Sequence, residues 1–132
     1  MTITEAFKQY NAFLKNIDLS ICAENSDGEL VVRLWDHLLS KPSDNTVRYM
    51  DHIQMWSGPG YYELGLALDK AKENNQVIRA VIAHTENPKE VEAGQDASKF
   101  KSTYSVQKNW IGRLEAWDGS IFEVRFKLAE AC

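Results

Sequence analysis

The run Val77-Ile78-Arg79-Ala80-Val81-Ile82-Ala83 constrains the chain more than any other stretch. It is short, β-branched and nearly continuous in apolar character, the pattern of a strand covered on both faces. Uninterrupted apolar stretches elsewhere are as short as its own Ala80-Val81-Ile82-Ala83, so no segment is long enough to cross a bilayer as a helix. The chain has 132 residues, a length that fits one domain with a real core, and no repeat, low-complexity tract or linker divides it.

Around that strand the pattern supplies further elements. Phe7, Tyr10, Leu14 and Ile17 recur at helical spacing, with Thr2 and Glu5 spaced as a capping box, so a helix is expected from about Thr4. Ile17, Leu19, Ile21 and Ala23 alternate with polar residues, and the alternation resumes at Leu30, Val32 and Leu34. A hairpin with an even loop over Asn25 to Gly28 would set Ala23 against Leu30 and Ile21 against Val32. Residues Leu38 to Asp44 read as a connection, and Asn45 to Trp56 as a strand with a bulge near Asp51-His52. Tyr61 to Asn75 reads as a second helix with Leu64, Leu66, Ala67 and Leu68 on its apolar side, and Thr85 to Ala97 as a polar loop. For the last hairpin, a three-residue loop Trp117-Asp118-Gly119 sets Leu114 against Phe122, Trp110 against Phe126 and Arg113 against Glu123. The sum is an α+β fold over residues 1–132, a mostly antiparallel sheet of about six strands with two helices packed on one face.

Catalytic signatures are absent from the sequence. The three histidines, His37, His52 and His84, lack zinc-ligand spacing, and the Asp-His pairs would point to opposite faces of a strand. Cys22, on the polar alternation, has no neighbouring base to activate it, and Cys132 completes a pair too few for a disulfide framework. There is no nucleophile elbow, Walker loop or dinucleotide fingerprint. No enzyme activity, metal or cofactor is expected. The start Met1-Thr2-Ile3-Thr4-Glu5 has neither a basic nor an apolar signal region, so a cytoplasmic location is expected.

Two stretches suggest binding instead. Ser57-Gly58-Pro59-Gly60 is a constrained loop flanked by Trp56, Tyr61 and Tyr62, rings that could line a pocket or stack on a base, or else join the core. Lys99, Lys101, Tyr104, Lys108 and Arg113 interleave cations with rings in a window free of acids, which suits phosphate contact and stacking. The same pattern also suits an edge strand protected by lysines. The net charge of −4 argues against a generally basic coat protein but not against a local basic face.

The stretch from Met55 to His84, with Trp56-Ser57-Gly58-Pro59-Gly60-Tyr61-Tyr62 followed by Leu64, Gly65, Leu66, Ala67 and Leu68, resembles the N-terminal head domain of McrA-type HNH endonucleases. That resemblance implies recognition of modified DNA, chiefly methylated cytosine, with Trp56, Gly58, Pro59 and Tyr61 or Tyr62 at the reading site. The paired cysteines and His-His run of an HNH nuclease are missing, so the implied role is a recognition module without the cutting part. The expected site is therefore DNA-binding, formed by Trp56, Ser57, Gly58, Tyr61, Tyr62, Lys99, Lys101, Tyr104, Lys108 and Arg113. A small acidic inhibitor or immunity-type protein that binds another protein is the alternative.

Overall fold

The continuous apolar run lies at the middle of a sheet, and its neighbours follow from that placement. The computed structural model describes residues 2–14, 21–40, 43–52, 59–85 and 102–128. Among them, two α-helices and seven strands follow one another as α1 (Ile3–Lys8), β1 (Cys22–Glu24), β2 (Leu30–Trp35), β3 (Thr46–His52), α2 (Pro59–Asn74), β4 (Ile78–Thr85), β5 (Ser102–Val106), β6 (Trp110–Trp117) and β7 (Ile121–Leu128). The class is α+β. The sheet order is β1-β2-β4-β6-β7-β3, with β5 also on β4, and only the β2–β4 pair is parallel.

Because β2 and β4 are apolar at both odd and even positions, each face needs its own cover. Leu64, Leu68 and Ala71 of α2 pack on Leu30, Val32, Leu34, Ile78, Ala80 and Ile82, and the curled sheet brings Val47, Tyr49, Phe122, Val124 and Phe126 into the same cluster. Ala6, Phe7 and Tyr10 pack on Val31 and Val81 from the other side. The two helices thus lie on opposite faces rather than on one. Leu66, expected on the apolar side of α2, is exposed.

α1 begins with the expected capping box, the Thr2 hydroxyl accepting the Glu5 amide and the Glu5 carboxylate accepting the Thr2 amide. It ends after two turns, well before Ile17. Asn11 takes φ +60°, and the Ala12 amide reaches back to the Phe7 carbonyl at 3.1 Å, closing the helix as a left-handed cap does. Tyr10 then enters the sheet. Its hydroxyl donates to the Ala80 carbonyl at 2.8 Å and accepts the Gln107 amide at 3.1 Å. Ala80 and Gln107 continue the register of the β4–β5 pairs, so the phenol bridges the ladder where β5 leaves β4. Burial raises the Tyr10 pKa, with the Gln107 hydrogen bond and the nearby Arg79 guanidinium opposing it.

The first hairpin is one residue out of the expected register, with Cys22 opposite Val32, Ala23 opposite Val31 and Glu24 opposite Leu30. Alternation could not choose here, since β2 is buried on both faces. The turn chooses. The Asn25 side chain accepts the amides of Asp27 (3.0 Å) and Glu29 (2.9 Å), donates to the Tyr10 carbonyl (3.0 Å), and leaves Gly28 at φ +76°. The shift carries Cys22 off the polar side into the core at 3% exposure, where burial, and next the Glu63 carboxylate, push its thiol up to about 12.

β3 carries no bulge over its seven pairs with β7. Its alternation continues inward through Val47, Tyr49 and Asp51, because the Tyr49 hydroxyl donates to the Asp51 carboxylate at 2.7 Å and so satisfies a polar group in an apolar slot. Residues 53–56, the rest of the expected strand, lie outside the described residues, as do Ser57 and Gly58 of the loop after it, Ile17 to Ser20 and most of the Thr85 to Ala97 loop. In the last hairpin Gly119 takes φ +96°, but Trp117 pairs with Phe122 and a bulge lies between Leu114 and Ala116. Leu114 therefore meets Val124 and Arg113 meets Arg125, two residues along from the expected partners and on the same face. The Trp110–Phe126 ring contact forms nonetheless, with centroids 5.6 Å apart. Gly112 lies under the Phe126 ring, where a Cβ would sit 2.6 Å from two ring carbons and 2.9 Å from the Ile78 carbonyl oxygen.

Candidate nucleic-acid interface

The residues expected to form one reading surface do not converge where the structure describes them. Trp56, Ser57, Gly58, Lys99 and Lys101 lie outside the described residues. Tyr61 is in the first turn of α2, and Tyr62 beside it is 73% exposed. Tyr104 is half-buried between the Trp35–Ala83 cluster and the α1 cluster, so its ring is engaged in packing. Lys108 is exposed in the link between β5 and β6, where its carbonyl accepts Arg79 Nη2 at 2.6 Å. Arg113 donates to the Asn75 carbonyl at 2.9 Å, just past the C-terminal end of α2. Tyr62 and Asn75 are at opposite ends of that helix, about 20 Å apart at 1.5 Å per residue. The ring at one end and the cation at the other cannot serve one compact contact.

A different set of cations does assemble. In each strand that supplies the α2 core, the alternate residues point to the other face. Those outward positions include all five arginines of the chain, Arg33, Arg48, Arg79, Arg113 and Arg125. Arg33 and Arg79 are taken up by neighbouring rings and acids. The Arg33 guanidinium lies 4.5 Å from the Trp35 ring centroid, and Arg79 lies 5.2 Å from that of Tyr10 and 3.9 Å from the Glu29 carboxylate. The other three are cross-strand neighbours, for Arg48 pairs with Arg125 on β3–β7 and Arg125 with Arg113 on β7–β6.

Like charges directly opposite on a sheet oppose each other unless something compensates them. Part of that compensation is local. Arg48 Nη1 is 3.6 Å from Glu123 and Arg125 Nη1 is 3.5 Å from Glu115, while Lys127 adds a fourth cation to the same face. These pairs are solvent-exposed and weak. The Arg125 Nε is buried and has no hydrogen-bond partner among the described residues. Met50 and Ile111 are exposed apolar neighbours of the row, on the same outward positions. The local sequence signal is an arginine between two residues of the inner face, Val47-Arg48-Tyr49, Gly112-Arg113-Leu114 and Val124-Arg125-Phe126. What no local pattern gives is the strand order that sets the three abreast.

The three positions stand on neighbouring strands, about 4.8 Å apart, and a guanidinium is a planar donor fork suited to phosphate oxygens, with one donor of Arg113 already given to the Asn75 carbonyl. Among the described residues no group of three His, Cys, Asp or Glu side chains could hold a metal ion, and no helix is long and apolar enough to cross a membrane. No family model, curated protein or solved structure matches the chain.

Proposed function

We propose that the chain is a DNA-binding module that holds backbone phosphates on the outward face of β3, β7 and β6. The observation that carries this reading is the cross-strand row Arg48–Arg125–Arg113 on the part of the outward face, over β3, β7 and β6, that no described helix covers. A cationic row on a chain of net charge −4 orients a polyanion to one face and leaves the remainder repulsive. The phosphate contacts fix position and carry no sequence information. The base-reading role that the resemblance to McrA-type head domains implies for Trp56 and Tyr62 is no part of this contact, since α2 packs on the opposite face of the sheet.

Fluorescence anisotropy of the full chain with a short duplex, plain or methylated, tests the reading. Each phosphate neutralised contributes about −0.9 to the slope of log K against log salt, so a contact through the row gives a slope of about −3. Replacing Arg48, Arg113 and Arg125 together by Gln removes most of that slope and weakens both duplexes alike. Absence of wild-type binding at low salt, or a triple variant that binds as the wild type does, overturns the proposal.

A further inference from the structure

The carboxyl ends of the parallel strands bring together three residues that the sequence keeps far apart. Trp35 opposite Ala83 is the last β2–β4 pair, so Asp36, next in the chain, lies beside His84. Ser105 pairs with Ile82 on β5, one diagonal step from His84. The His84 ring joins them. Its Nδ1 is 2.7 Å from Asp36 Oδ2 and its Nε2 is 2.9 Å from Ser105 Oγ. The imidazole and the carboxylate are both substantially open to solvent. Carboxylate, imidazole and hydroxyl thus form a chain in which each group is within reach of the next, a constellation recognised by its geometry whatever its order in the sequence.

We infer that Ser105 is an activated nucleophile for acyl transfer, with His84 as its base and Asp36 as the positioning residue. The Asp36 carboxylate accepts Nδ1–H, which leaves Nε2 as the lone-pair nitrogen facing Ser105. Ser105 Oγ attacks the carbonyl carbon of an activated ester while its proton passes to His84 Nε2. The tetrahedral adduct collapses, the carbon–oxygen bond to the leaving group breaks, and the departing oxygen takes that proton. Water attacks the acyl-serine next, again giving a proton to Nε2, and the acid leaves as the proton returns to Ser105. The strand supplies a donor for the developing oxyanion. Since Ala80 and Gln107 face each other across the Tyr10 hydroxyl, alternation turns the Ser105 amide toward β4. The Val106 amide is turned away, to the edge of β5 that no described strand pairs. The array occupies inner-face positions, opposite to those of the arginine row, so the two sites stand or fall separately.

The test uses the full chain and a fluorophosphonate probe, which labels only activated serines, followed by mass-spectrometric mapping. Hydrolysis of p-nitrophenyl acetate is followed in parallel. Labelling is expected at Ser105 and lost in Ser105→Ala. His84→Gln should slow it at least ~100-fold, and Asp36→Asn should slow it less. The exposed serine outside the array, in Ser43→Ala, should label as wild type. A structural role would leave the pH profile unchanged, whereas the rise of the wild-type rate with pH should flatten in His84→Gln. A folded wild-type chain that takes up no label, or one labelled equally fast without His84, overturns the inference. Thermal melting of each variant separates loss of reactivity from loss of fold.

Discussion

On the inner face of the sheet, positions from Val32 on β2 to Phe126 on β7 meet α2 through apolar side chains. On the outer face the alternate positions of the same strands carry the five arginines, and over β3, β7 and β6 nothing described covers them. The strands are shared, so the contrast comes entirely from residue parity. It teaches that stability and ligand chemistry can be separated on one sheet. Substitutions on the inner face should change the folding equilibrium, and those on the outer row should change binding with the fold intact.

The largest effect expected is on the inner face. Phe126→Ala removes a fully buried ring that packs on Gly112 and Trp110, and should cost about 3–5 kcal/mol in urea unfolding. A loss under about 1 kcal/mol would mean that the curled half of the sheet does not share the α2 core. Gly112→Ala comes next. The Phe126 ring could shift, but the Ile78 carbonyl is backbone, so overpacking of about 1–3 kcal/mol is expected. Pairing it with Phe126→Leu should recover only part of that loss. Tyr10→Phe keeps the buried ring and removes the bridge between Ala80 and Gln107, and should cost about 1–3 kcal/mol.

The same phenol gives a pH dependence with a definite sign. Burial raises the Tyr10 pKa in the folded state, so its contribution is complete below the ordinary tyrosine value of about 10. That contribution is lost as the pH climbs past it, and the alkaline decline should be smaller in Tyr10→Phe. Cys22, with its thiol pushed up to about 12, should resist thiol reagents at pH 8 in the folded chain and react at once in denaturant. The smallest effect belongs to the outer row. Arg48→Gln and Arg125→Gln each break one exposed ion pair and relieve a like-charge neighbour, so unfolding should move by less than about 1 kcal/mol. A larger loss would make the row part of the fold and dissolve the contrast.

Much of the inner face was legible in the sequence. The both-sided burial of β4, the capping box at Thr2 and Glu5, the span of α2 and the left-handed Gly119 all follow from local chemistry. What went unread was decided by partners distant in the chain. Asn11 closes α1 early because Tyr10 must reach Ala80, seventy residues on. The first hairpin slips by one because Asn25 binds its own turn and the Tyr10 carbonyl. Asp51 keeps the β3 alternation only because the Tyr49 hydroxyl meets it. The candidate surface was less legible than the fold. The sequence pattern pairs Arg113 with Glu123, whereas the tighter turn that pairs Trp117 with Phe122, together with the bulge after Leu114, sets it beside Arg125. Asp36, His84 and Ser105 are separated by 48 and 21 residues, so no spacing rule could join them.

The most direct measurement is a titration of isotopically labelled protein with duplex DNA at low salt, followed by NMR of backbone amides and arginine side chains. Shift changes centred on Arg48, Met50, Ile111, Arg113 and Arg125, with the α2 helix from Leu64 to Ala71 unmoved, are the predicted result. Changes confined to the start of α2 around Tyr62, or none at all, would contradict the assignment of phosphate contact to the outward face.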